Sequence, residues 1–204
     1  SGRRTSGGSR GECPKIDPGL IALVPTSNWG KTVAEHPTWW FYVPYSPQEV
    51  PVGVFVLQDE NYNDLYRTTL NLPSSAPGLV SVSLPKKESS LAIGDSYRWQ
   101  LNLYCSEDRA SAPLYVSGWI NRVLPSSELS RKLTQETTRK YQVYAEQGIW
   151  FDAIHYLAQL RLANPSDPRL IQEWQKLLQV KGVKLEQLID VPVAGKVELT
   201  PNSD

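Results

Sequence analysis

Methionine is absent from this 204-residue chain, and cysteine and histidine occur only twice each. Two thiols and two imidazoles at unrelated spacings cannot supply the four ligands of a structural zinc site. An excess of either charge is also missing: Lys plus Arg and Asp plus Glu number 21 each. Dividing the chain at Leu124 leaves 11 basic and 11 acidic residues before it, and 10 and 10 after. Neither half carries the basic excess that phosphate binding requires, so nucleic acid is not an expected partner. No apolar run reaches the roughly 18 residues needed to cross a bilayer, so no membrane-spanning segment is expected. No Gly-x-Ser-x-Gly elbow and no cofactor motif occurs, so neither a catalytic constellation nor a cofactor is expected.

What is present is ordinary globular material: 40% hydrophobic residues, 21% charged residues and 16 prolines. The chain starts at Ser1 rather than Met, as expected of a processed leader or a trimmed end. Residues 1–12 are Gly-, Ser- and Arg-rich without apolar periodicity, which predicts a flexible arm. Residues 13–124 read as a β-sandwich domain, 125–190 as a helical region and 191–204 as a flexible tail. The fold class is therefore α+β, with an antiparallel sandwich of fibronectin type III or immunoglobulin kind followed by a helical hairpin or small bundle.

Seven strand candidates carry that expectation: Leu20–Val24, Thr38–Val43, Val54–Gln58, Leu65–Leu70, Leu79–Leu84, Ser96–Cys105 and Leu114–Val123. Each is rich in β-branched or aromatic residues and bounded by turn formers. The most specific signal is LAIGDSYRWQL, where Tyr97 opens a strand just after a Gly turn, the pattern of a tyrosine corner. Tyr97 is expected to bond back near Leu91. Trp99, Leu101, Leu103 and Cys105 then share the inward face, and Arg98, Gln100, Asn102 and Tyr104 the outward one. In a secreted chain Cys13 and Cys105 would close a disulfide loop of about 90 residues worth about 2–4 kcal/mol. Buried free thiols and a reactive nucleophile are the alternatives.

After Pro125 the period changes to that of helices. One helix is expected from Ser126 or Ser127 to about Gln147, and a second from Ile149 to Ala163. A third follows Asp167 and Pro168 and stops before Gly182, and a short one lies around 184–189. In YAEQGIWFDAIHYLAQLRLANP, the positions of Tyr144, Gly148, Trp150, Ala153, Leu157 and Pro165 resemble a single tetratricopeptide unit. Leu160 departs from that pattern, standing where the repeat has Ala.

Candidate sites are weighed against plainer roles. His36 in EHP and His155 in mid-helix lack a partnered Asp arrangement, so structural roles are expected; a thiol or histidine hydrolase would need a free Cys105 near His36. DENYND offers oxygens at Asp59, Asn61 and Asn63, but Asp64 and Leu70 replace the Gly and Glu of a calcium loop, and a hairpin turn accounts for it. The strongest candidate is an aromatic sheet face: with the strand of Trp40 placed beside that of Arg98–Tyr104, Trp40, Tyr42, Gln100, Asn102, Tyr104, Tyr115 and Trp119 would share one surface. Such a face suits a protein or a sugar, unless the helical part packs over it.

Ordered stretches along the chain, among them SRGECP, HPTWWFYVPY, FVLQDE, LYRTTLNLP, APGLVSVSLP, YRWQLNLYC, VSGWINRV and YAEQGIWFDAI, resemble a cyanobacterial family named only as domain of unknown function 928. The resemblance implies a signal peptide and a periplasmic or secreted location, and it supplies no catalytic residue. The expectation is therefore an exported, non-enzymatic protein-interaction or structural component of the cell envelope. A carbohydrate-binding module is the alternative.

Overall fold

The computed structural model describes residues 1–6 and 12–200. Its strands are β1 (Ile21–Ala22), β2 (Trp29–Thr32), β3 (Thr38–Val43), β4 (Val52–Gln58), β5 (Asp64–Asn71), β6 (Gly78–Ser83), β7 (Ser96–Tyr104), β8 (Leu114–Arg122), β9 (Val193–Lys196) and β10 (Glu198–Thr200). The helices are α1 (Ser127–Gln135), α2 (Lys140–Glu146), α3 (Trp150–Ala163) and α4 (Pro168–Leu178), followed by a single 3-10 turn at Glu186–Leu188. Two sheets face each other in the orders β1-β3-β6-β9 and β10-β5-β4-β7-β8-β2. All seven expected strands form, but the sandwich is not wholly antiparallel: β2 runs parallel to β8, and β9 parallel to β6.

Alternation decides which side chains meet between the sheets. Trp39, Phe41, Phe55, Trp99, Leu101 and Leu103 are each at most 1% exposed, and Trp39 packs on Phe55 across the gap with ring centroids 4.9 Å apart. Each large side chain so buried is worth on the order of 1.5–3 kcal/mol relative to exposure. The Tyr97 hydroxyl accepts the backbone N–H of Ala92 at 2.8 Å, so the tyrosine corner forms one residue beyond Leu91. Cys13 and Cys105 form a disulfide across 92 positions of chain. It ties the entry segment to the end of β7.

Two chain ends depart from the expected flexible arm and tail. Arg3 bridges Ser117 and Thr5 bridges Ile21, so the described first residues close a gap along the sandwich edge; positions 7–11 of the arm lie outside the described residues. In the expected tail, β9 extends the four-stranded sheet and β10 the six-stranded one, while 201–204 lie outside the described residues. Alternating Val191, Val193, Val197 and Leu199 carried that signal, interrupted by Gly195.

Helix α3 packs against β2, β3 and β9, with α2 and α4 packed on α3. Side-chain caps set the starts of α1 and α4: Ser126 Oγ accepts from Leu129 N, and Asp167 Oδ1 from Arg169 N with Pro168 in the first turn. The single helix expected to reach Gln147 is instead two. The Glu136 carboxylate accepts the N–H groups of Thr138 and Arg139, holding a turn where the helix would have continued. Gly148, at φ +72°, makes the tight reversal into α3. There Phe151 enters the open edge of the sandwich beside Gly30, whose absent side chain leaves the room: a Cβ would lie 2.6 Å from the Phe151 ring.

Candidate binding face

The orientation of β3 separates the expected aromatic face into two. Trp39 looks inward, so Trp40 points away from the six-stranded sheet, toward α3. Trp40 and Tyr42 therefore belong to the outer side of the four-stranded sheet, whereas Gln100, Asn102, Tyr104, Tyr115 and Trp119 lie on β7 and β8 of the other sheet. The seven residues do not form one surface. β3 fails to pair with β7 because its hydrogen bonds go to β1 and β6, and the chain crosses between sheets before β4.

Trp40 is covered. It is 3% exposed, and its Nε1 donates to His155 Nδ1 at 3.0 Å. The acceptor role of Nδ1 places the His155 proton on Nε2. Burial pushes the His155 pKa down to about 4, leaving the ring neutral near pH 7. His155 lines a cavity of about 300 Å³ between α3 and the strands, together with His36, Asp152, Thr38, Tyr144 and Tyr156. Asp152 Oδ2 accepts the N–H of Val33 at 3.2 Å, and burial raises its carboxyl to about 6 despite that bond and one from Thr32. Tyr144 is pushed up strongly, first by burial and then by Asp152. His36 Nε2 donates to the carbonyl of Glu88 at 2.8 Å. Each histidine thus has a ring nitrogen committed to a structural bond, and the disulfide consumes the Cys105 thiol that a thiol hydrolase would use.

The outer side of the six-stranded sheet is built differently. Trp119 stacks on Trp29 of the neighbouring β2, with ring centroids 5.2 Å apart and planes within 8°. Tyr62, in the β4–β5 turn, meets the other side of Trp119 edge-on at 6.3 Å. Trp29 is 45% exposed and Tyr62 60%, an unusual placement for large aromatic side chains. The guanidinium of Arg98 sits 5.7 Å from the Tyr62 ring. From Arg98 one line of hydrogen bonds runs along β7 and another crosses to β4 and β5. Its Nη1 donates to Gln58 Oε1 and its Nη2 to Gln100 Oε1, and Gln100 Nε2 donates to Asn102 Oδ1 at 2.7 Å. On the other side Gln58 Nε2 and Arg67 Nε both donate to Asp64, holding its carboxyl below the usual range. Farther along, Arg3 lies over Tyr115 and Arg109 over Tyr104.

The residues that sequence reasoning missed are Trp29 and Tyr62. Trp29 lies in SNWGKT, among turn formers and without alternation, and only parallel pairing with β8 makes it a strand. Tyr62 belongs to the DENYND turn. There Asp59 Oδ1 accepts from the N–H groups of Asn61 and Asn63, and Oδ2 from Asn63 Nδ2. The Asp59 oxygens fasten the turn, which displays Tyr62 at φ +64°.

No curated protein matches the chain. A family described as Domain of Unknown Function (DUF928) matches over residues 5–193. With nearly its whole length inside that match, the chain belongs to the DUF928 family.

Proposed function

We propose that this chain is an exported, non-enzymatic interaction or structural component of the cell envelope, and that it recognises a protein partner through the outer side of its six-stranded sheet. The observation that carries this is the pair of exposed rings, Trp29 and Tyr62, held against the buried Trp119 beside side chains already fixed by mutual hydrogen bonds. Large aromatic groups held rigidly beside satisfied polar groups lose little freedom on binding. The disulfide supports an oxidising, extracytoplasmic setting, since such bonds persist there. The order β1-β3-β6 facing β5-β4-β7-β8, with a tyrosine corner before β7, supports a fibronectin or immunoglobulin kinship. The Gly148 turn and close-packed Ala153 and Ala158 support a tetratricopeptide-like hairpin used as a buttress.

The test is site-specific photo-cross-linking in an envelope fraction, with a photoreactive residue at position 29, 62 or, as control, 172 on the exposed side of α4. A discrete protein adduct from 29 and 62 and none from 172 is expected. An adduct common to all three positions, or none from 29 and 62, contradicts the assignment.

A second reading rests on the exposed indole of Trp29, backed by Trp119 at 5.2 Å and bordered by amides, which suits stacking on a pyranose face. Selective binding on a glycan array that Trp29→Ala abolishes would establish carbohydrate as the ligand instead.

A further inference from the structure

Arg161 stands apart from the other cations. It lies on α3 with 9% of its surface exposed, its guanidinium 4.7 Å from the ring of the fully buried Trp174. Nη2 donates weakly to the carbonyl of Val191 at 3.5 Å. Nε and Nη1 are buried and have no acceptor among the described residues. No described carboxylate pairs with it, and burial alone holds its pKa below the ordinary value. Withdrawing a cation from water without a counter-charge is strongly unfavourable. The five guanidinium donors are suited to a planar carboxylate or to phosphate oxygens.

Beside this group lies a cavity of about 400 Å³, in which Arg161 is the one cation of the lining. Its walls include Ile189 and Val193, and its lip is formed by Leu162 and Ile171. Those two are among the large apolar side chains left in water, at 47% and 38% exposure. The volume falls in the range of small-ligand pockets. Asp190 is also part of the lining and is exposed. A buried cation without a described counter-charge and an exposed apolar lip are separate observations, and one ligand chemistry answers both.

We propose that this cavity binds a single-chain amphiphile with an anionic head, the carboxylate or phosphate resting on Arg161 and the apolar body against Leu162 and Ile171. The site is built by α3, α4 and the segment leading into β9, shares no residue with the Trp29 cluster, and is independent of the partner-binding role.

Calorimetric titration of the intact protein tests it, with octanoate, octyl phosphate and, as a neutral-headed control, octyl glucoside, all below their micellar concentrations. Saturable one-site binding of octanoate or octyl phosphate is expected, at least about tenfold tighter than octyl glucoside. Which of the two anions binds better tells a carboxylate ligand from a phosphate one. Arg161→Met should weaken binding by about tenfold or more, and Arg161→Lys should retain part of it. Asp190→Asn should bind as well as the wild type or more tightly, because it removes the anion in the lining. If Arg161→Met does not fold, Leu162→Glu and Ile171→Glu, which change only the exposed lip, should each weaken the anions. Equal binding of octyl glucoside and the anions, lip variants that bind unchanged, or no saturable binding to the wild type and Asp190→Asn would overturn the proposal.

Discussion

Asp152 and His155 lie on the same part of α3 and line one cavity, yet burial shifts them in opposite directions, the carboxyl from 3.8 to about 6 and the imidazole from 6.5 to about 4. Their effects on stability are therefore opposed. Between about pH 4 and 6 the folded state holds the Asp152 proton more tightly than the unfolded state does, so this contribution falls as pH rises. For His155 the unfolded state binds more protons between about pH 4 and 6.5, so its contribution rises with pH. At about 1.4 kcal/mol per pKa unit, each amounts to about 3 kcal/mol across the window. The two nearly cancel in the wild type, and removing either exposes the other. Asp152→Asn retains an oxygen for the Val33 N–H, so its stability relative to wild type should climb by about 3 kcal/mol from pH 4 to 6.5. His155→Gln should lose a similar amount over the same range. Comparing each variant with wild type cancels the titration of surface carboxylates. Urea unfolding at several pH values, with a constant m-value, provides the measurement. Flat differences for both variants would show that neither group is withdrawn from water, and the docking of α3 on the sandwich would be wrong.

Removing the disulfide with Cys13→Ser and Cys105→Ser releases a loop of 92 positions. For a loop this long the chain-entropy relation predicts a loss of about 4–5 kcal/mol, above the typical disulfide range of about 2–4 kcal/mol, read from urea unfolding under oxidising conditions. A loss below about 1 kcal/mol would mean that the entry segment is held in place without it. Phe151→Ala, truncating a ring 2% exposed, should cost about 3–5 kcal/mol. Gly30→Ala pushes a methyl into that ring and should cost about 1–3 kcal/mol. In the double variant the two losses should not add, and strict additivity would refute the contact. Tyr97→Phe leaves the Ala92 N–H without its acceptor and should cost about 1–2 kcal/mol in the same assay.

Strands with strong alternation were legible because burial on one face writes a period of two into the sequence, as in Trp99, Leu101 and Leu103. The tyrosine corner was legible for a local reason, since Tyr97 and its donor are five residues apart. What could not be read is sheet membership. Parity tells that Trp39 and Trp40 point oppositely, but not which strand accepts their backbone hydrogen bonds. Placing β3 beside β7 therefore merged two surfaces that the fold keeps on different sheets. Short segments such as β2 and β10 are strands by virtue of partners far away in sequence. The break at Glu136 depends on a side chain capturing two backbone N–H groups, a competition that periodicity does not register. Of the expected face, Gln100, Asn102, Tyr104, Tyr115 and Trp119 stay together, and their aromatic partners are Trp29 and Tyr62 rather than Trp40 and Tyr42.

The seven tryptophans report directly on the claim that helices cover the four-stranded sheet and leave the outer side of the other sheet open. Trp29 is 45% exposed, while Trp119 and Trp150 are at 9% and 8%, Trp40 is at 3%, and Trp39, Trp99 and Trp174 are at 0%. Hydroxyl-radical footprinting of the native protein, with oxidation quantified residue by residue by mass spectrometry, should find Trp29 modified far faster than the other six. Oxidation of Trp40 as fast as Trp29, or protection of Trp29 in the isolated protein, would contradict the account.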